Sequence, residues 1–276
     1  METSALSLTA VAAILLYAIV TLLTAGRIRG STFAPCQRRE LILSLAAVAV
    51  LFHAAVLWRD VSLNGGFDLN FFHALSLNAW IMVVAMILVA TRRPVETLGV
   101  VLYPLATITL ALEALYPAKP VLITGESWQL GLHIALAVLA FSVLSLATVH
   151  ALLLAVQNRE LHERVGGHLL TVLPPLQRME TLLFQMISFG FFLLTLAVAT
   201  GIMFVDNLFD QHLIHKTILS MLGWVVFGTL LWGRWRYGWR GKTAVRWTLG
   251  AMFLLLLAYF GTKLVLELIL HRVGSP

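Results

Sequence analysis

Long apolar runs separated by short polar segments set the pattern of this chain. The run from Trp128 to Val156 contains no charged residue and is dominated by Leu, Ala and Val. In lipid only a helix satisfies every backbone N–H and C=O within one segment, so this run predicts a membrane-crossing helix. Seven further runs, 5–25, 41–58, 70–90, 96–115, 181–205, 216–233 and 244–270, have comparable length and polarity. Together they predict an all-α integral membrane protein, a polytopic bundle of about eight transmembrane helices forming one transmembrane domain over residues 1–276. The first run is too long for a signal-peptide core, lacks a basic leader and is followed by Arg27 and Arg29, so it is expected to be retained as an anchor.

Composition agrees with the pattern: 60% of residues are hydrophobic, 12% are charged and the mean hydropathy is +0.91, too apolar for a soluble domain. A net charge of +6 raises the question of nucleic acid. The distribution answers it, because 14 of the 19 Lys and Arg lie in or beside the loops after spans one, three, five and seven. That bias is membrane topology rather than a nucleic-acid footprint; it puts these loops in the cytoplasm and both termini on the non-cytoplasmic side. The single cysteine, Cys36, excludes an internal disulfide framework and a Cys-x-x-Cys motif. No metalloprotease, nucleotide-binding or serine-hydrolase motif falls in a suitable place, and no internal repeat of the transporter kind is visible.

On this topology His53, His73, His133, His212, His215 and His271 fall at the outer boundary, while His150, His162 and His168 fall inward. An imidazole inside a span is costly unless it finds a polar partner, a cavity or a ligand. His133 and His150 are 17 residues apart, about 25 Å along a helix, so they cannot share one metal. A hydrogen bond to a neighbouring helix is the plain alternative for each. Two charges lie deep in the last span, Lys263 and Glu267, one helical turn apart; Glu113 in span four is another potential partner for Lys263, and snorkelling to the outer interface would serve all three. Pro104 is expected to kink span four. Trp58, Trp128, Trp232, Trp235, Trp239 and Trp247 lie near span ends, as in an aromatic belt, whereas Trp80 and Trp224 lie deeper and need either partners within the bundle or a flat ligand to stack on.

The order of these features resembles the cytochrome c assembly family, the polytopic haem-handling proteins of CcsA type, and within it the shorter YpjD-like inner-membrane branch. In the first half the resemblance rests on Arg59, Gly65, Gly66, Asn70, Leu75 and Trp80. In the second half it rests on Trp128-Gln-Leu-Gly-Leu-His133, on Glu180, Gly190, Leu193-Leu194-Thr195 and Gly201, on Lys216 with Trp224, on Gly238-Trp239-Arg240-Gly241 and on Tyr259-Phe260-Gly261. The family's tryptophan-rich loop is replaced by residues 206–216, Trp232 stands where an intramembrane histidine is expected, and His73 stands where many relatives carry a glutamate.

The resemblance implies a multi-pass protein of the bacterial inner membrane that binds or handles haem at the outer, periplasmic face, in or beside cytochrome c maturation. It makes His133 an axial ligand of haem iron, with His271 or His215 as the second and His53 in reserve. Trp128 and Phe72 would cover the ring edge, and Lys216, Arg59 or Lys263 would pair with propionates. The lipid bilayer is the surrounding partner, with other membrane or periplasmic proteins of cytochrome maturation beside it and no nucleic acid. The altered loop argues against a self-sufficient synthetase. The alternative is an accessory or regulatory subunit that kept the bundle and lost haem; a proton or ion pathway ranks third, since no chain of ionisable groups crosses the membrane centre.

Overall fold

The computed structural model describes residues 7–64, 67–68, 70–116, 122–123, 128–163, 174–204 and 214–261. Eight helices among them are long and apolar enough to cross a membrane. They fall into two compact units. Unit 1 holds α1 (Leu8–Ile28), α2 (Arg39–Asn64), α3 (Phe71–Ala90) and α4 (Gly99–Leu115). Unit 2 holds α5 (Trp128–Glu163), α6 (Leu176–Phe204), α7 (Ile214–Tyr237) and α8 (Lys242–Leu256), the last continued by a π-helical turn, Leu257–Gly261. The only extended backbone among the described residues is a two-residue antiparallel pair, Phe67–Asp68 with Leu122–Ile123, so the fold is helical.

Helix ends follow local chemistry rather than the limits of the apolar runs. Ser7 Oγ accepts from Ala10 N–H to cap α1, and Asn70 Oδ1 accepts from His73 N–H to cap α3. Gln157, Arg159, Glu160 and Leu161 are good helix formers, and no Gly or Pro interrupts them, so α5 continues beyond the apolar run to Glu163. Its 36 residues span about 54 Å, well past a hydrocarbon core of about 30 Å. Conversely Pro174-Pro175 starts α6 at Leu176, five residues ahead of the apolar run. Pro104 is accommodated inside a continuous α4; its missing N–H withdraws the usual partner of the Val100 carbonyl.

In unit 1, α1 packs on α2 and α4, and α3 packs on α2 and α4. Tyr17, His53 and Tyr103 meet at its centre, all fully buried. The Tyr17 and Tyr103 rings stack at 6.3 Å, and His53 meets Tyr17 edge-on at 5.8 Å. At one end of the unit the four helices are tied by charge. Glu96, in the 3₁₀ turn Glu96–Leu98 ahead of α4, pairs with Arg39 Nε at 3.1 Å and with Arg27 Nη2 at 3.7 Å. Arg39 also donates through Nη2 to the Ala90 carbonyl closing α3. One carboxylate therefore joins the end of α1, the start of α2, the end of α3 and the approach to α4.

In unit 2, α5 lies along α6, α8 packs on α5 and α7, and α7 packs on α6. The α5–α6 seam is close because Gly190 has no side chain: a Cβ there would come within 2.7 Å of Leu144. Between α6 and α7, Trp224 stacks on Phe191 at 5.6 Å and donates through Nε1 to Thr195 Oγ1 at 2.9 Å. Trp80 in unit 1 finds the Val50 carbonyl at 3.0 Å. Of the two alternatives for the deep tryptophans, partners within the bundle are the ones found. Trp58, Trp128, Trp232 and Trp235 remain exposed, as belt residues do.

Removing the Glu96 carboxylate leaves Arg27 and Arg39 without their shared counter-ion. Glu96→Ala is expected to cost about 1–3 kcal/mol of stability, and Glu40→Ala, on an exposed side chain, less than about 0.5 kcal/mol. Thermal unfolding of the detergent-purified variants checks this, and equal melting temperatures would remove the charge knot from the account.

Candidate functional site

His133 lies five residues into α5, about 7.5 Å from its start. Its Nδ1 is 2.9 Å from the Ala197 carbonyl and 3.3 Å from Thr200 Oγ1, both on α6. A backbone carbonyl only accepts, so Nδ1 carries the proton and donates, and Nε2 keeps its lone pair. The Thr200 hydroxyl donates to the Leu196 and Ala197 carbonyls, leaving its oxygen free to accept a second share of the same N–H. Gly201 makes the approach possible: a Cβ there would meet His133 Cε1 at 3.0 Å. No described residue bonds to Nε2. An imidazole that donates one N–H to a carbonyl and presents the other nitrogen unprotonated has the arrangement common to metal-ligating histidines.

The other span histidines are held differently. His53 has both nitrogens engaged, Nε2 by Ser76 Oγ at 2.9 Å and Nδ1 by Tyr17 Oη at 3.4 Å, and is fully enclosed in unit 1. It is a core histidine there, with no nitrogen turned to open space. His150 donates through Nε2 to the Met179 carbonyl at 2.9 Å, the helix-to-helix bond that the plain reading of an intramembrane histidine expects. His73 donates through Nδ1 to Glu113 Oε1 at 2.6 Å. Glu113, weighed as a partner of Lys263, is thus engaged by His73, and Lys263 and Glu267 lie outside the described residues. Nothing in the spacing of His73 and Glu113, 40 residues apart, announced that pairing; both signals were present, one polar residue in each of two spans, without a rule to join them.

The remaining candidates are distributed. Trp128 opens α5, is exposed, and lies with its ring 6.5 Å from that of Phe204 at the end of α6. The Trp128 and His133 side chains therefore share the α5–α6 seam. His215 and Lys216 occupy the first turn of α7, His215 exposed and Lys216 half-buried. Arg59 is exposed near the end of α2, in unit 1. His271 and His212 lie outside the described residues, as does most of the segment replacing the tryptophan-rich loop. Among the described residues no group of three or more His, Cys, Asp or Glu is gathered to hold a metal ion, so an imidazole site would rely on one or two histidines and a macrocycle.

The second-half residues that carry the family likeness have definite work. Glu180 Oε1 accepts the Gly241 N–H at 2.8 Å, binding α6 to the turn between α7 and α8, where Gly241 takes φ of 58°. Trp239 folds back over Gly233, and its carbonyl accepts from Arg234 Nη1 at 3.2 Å. Gly201 seats His133, Gly190 admits Leu144, and Thr195 receives Trp224. These are contacts between α5, α6, α7 and α8, so the same residues that suggested a family also build unit 2.

The helices and this seam define a polytopic α-helical membrane protein with a histidine displayed near one end of its longest span. The chain belongs to the cytochrome c assembly family: the family described as "Cytochrome C assembly protein" matches residues 41–270. It is similar to the inner membrane protein YpjD of Escherichia coli strain K12, 32% identical over 234 residues that cover 84% of this chain and 88% of that protein. It is more distantly similar to protein HemX of Brevibacillus brevis, 22% identical over 230 residues (80% and 84% of the two chains). The cytochrome c biogenesis protein CcsA of Synechococcus sp. strain RCC307 is 22% identical over 279 residues (90% and 88%). No solved structure matches. The chain is a multi-pass inner-membrane protein of this family.

The α5–α6 geometry predicts the Nδ1–H tautomer for His133. Long-range ¹H–¹⁵N correlation of the imidazoles in detergent-purified protein is expected to report it, and Gly201→Val is expected to abolish that bias by displacing the ring. A wild-type His133 in the Nε2–H form would contradict the bond to Ala197.

Proposed function

We propose that this protein binds haem at the outer, periplasmic face of the inner membrane, through His133 as one axial ligand, and handles or senses it in or beside cytochrome c maturation. One observation carries the reading: the bond from Nδ1 to the Ala197 carbonyl, with Gly201 clearing the space, orients the His133 ring and leaves Nε2 as a lone-pair donor. Family membership supports it, and so does the name of the relative CcsA, a cytochrome c biogenesis protein. Trp128, beside Phe204, offers an aromatic wall at the same end of the seam. Bound haem supplies an iron that takes axial imidazoles; the chain's part is to present a neutral imidazole in a set direction. Thr200 and Ala197 hold the proton on Nδ1 so that it does not compete at Nε2.

The second ligand in this reading is His271 or His215. His215, exposed at the start of α7, is sterically open to such a role, whereas His53, with both nitrogens engaged inside unit 1, loses its place as reserve. Lys216, at the start of α7 in the same unit as His133, stays as the candidate for a propionate. The absence from the sequence of the tryptophan-rich loop fits a carrier or sensor of haem better than a ligase that attaches it to apocytochrome.

The test is an absorbance spectrum of detergent-purified protein, as isolated and after haem addition, oxidised and reduced. Wild type is expected to show a Soret band that is lost or strongly weakened in His133→Ala, with His215→Ala or His271→Ala shifting the reduced spectrum to that of a five-coordinate haem. Colourless protein that takes up no haem, or a band indifferent to His133→Ala, overturns the reading and leaves the accessory-subunit role.

A further inference from the structure

At the end of unit 2 remote from His133, a cavity of about 420 Å³ opens between α5, α6 and the start of α8. Its size falls within the range of small-molecule sites, about 300–1,000 Å³. Arg159 from α5 and Lys242 and Arg246 from α8 line it, with Asn158, over an apolar floor that includes Leu154 and Val245. Lys242 and Arg246 are exposed and form no ion pair with a described residue. Glu180, which accepts the Gly241 N–H through Oε1, is the one carboxylate in the lining, and Lys242 and Arg246 outnumber it, so the lining keeps a surplus of positive charge.

Depth identifies the ligand. Leu154 lies 21 residues beyond His133 on α5, about 32 Å along the axis, and Arg159 lies about 46 Å from Trp128. With Trp128 near one interface, these residues fall at the opposite headgroup region, since a bilayer with its headgroups is about 40–45 Å thick. A cationic cavity with an apolar floor at that depth matches an anionic phospholipid, its phosphate among the cations and its chains along the helices. The geometry points to a specific site for an anionic phospholipid headgroup at the α5–α6–α8 end, separate from the His133 seam. Leu154, Leu176 and Val245 take the glycerol and first methylenes, and Lys242 and Arg246 take the phosphate. A soluble phosphate shares the charge but has nothing to place on the apolar floor.

The full chain, purified in mild detergent, is mixed with phosphatidylglycerol, phosphatidylcholine or inorganic phosphate; thermal unfolding and native mass spectrometry report stabilisation and retained lipid. Phosphatidylglycerol is expected to raise the midpoint by about 3 °C or more and to stay bound, while phosphatidylcholine and inorganic phosphate do neither. The double variant Lys242→Gln/Arg246→Gln and the cavity-filling Ala155→Phe are each expected to lose most of that shift and of the bound lipid. Arg92→Gln/Arg93→Gln, an equal loss of charge in unit 1, keeps both. Equal effects of the two lipids, a full shift from inorganic phosphate alone, retention of lipid by both cavity variants, or an equal loss in the unit 1 variant each overturn the site.

Discussion

Water cannot solvate a donor in the middle of a helical bundle in lipid, so each polar side chain there must find its acceptor within the protein. In this protein the acceptor is repeatedly a backbone carbonyl of a neighbouring helix. Trp80 uses Val50, His133 uses Ala197, His150 uses Met179 and Arg39 uses Ala90. Each such bond sets the rotation of one helix against another, because a carbonyl points along its helix at one place on the circumference. Apolar packing in lipid lacks that discrimination, as Leu and Val meet lipid tails as readily as they meet each other.

The two units use this constraint differently. Unit 1 pairs polar groups with one another: Tyr17, His53 and Ser76 at full burial, His73 with the half-buried Glu113, and Glu96 with two arginines at one end. Such closed sets specify which helices are neighbours. Unit 2 leaves chemistry open at both ends of α5, with an imidazole nitrogen that no described residue bonds at one and a cationic cavity at the other. A helix of 36 residues makes that possible, since it outreaches the hydrocarbon on both sides.

Small residues decide how near the chemistry can come. A Cβ at Gly201 would stand 3.0 Å from the His133 ring, so a larger residue there asks the imidazole to give by a few tenths of an ångström. Gly241, in a left-handed conformation that favours glycine, delivers its N–H to Glu180 and so places the start of α8, with Lys242 and Arg246, beside α5. The bound histidine and the cavity are thus both set by glycines that carry no chemistry of their own.

The eight helices were legible in the sequence because lipid demands long runs without charge, and that demand is one-dimensional. The ends were less so: polar helix formers carry α5 to Glu163, and the proline pair starts α6 early, where hydropathy alone says loop. His133 was legible as a candidate from its place at the head of an apolar run. Which nitrogen it offers was not, since that depends on a carbonyl 64 residues away. The partners of His53, His73 and Glu96 likewise come from other helices, at separations of 23 to 69 residues that no periodicity links. The sequence by itself determined that the chain crosses the membrane and which residues must be helical, because transfer to lipid is a property of segments. The tertiary structure alone decided which polar groups are consumed by one another and which remain available, because that depends on how neighbouring helices are turned.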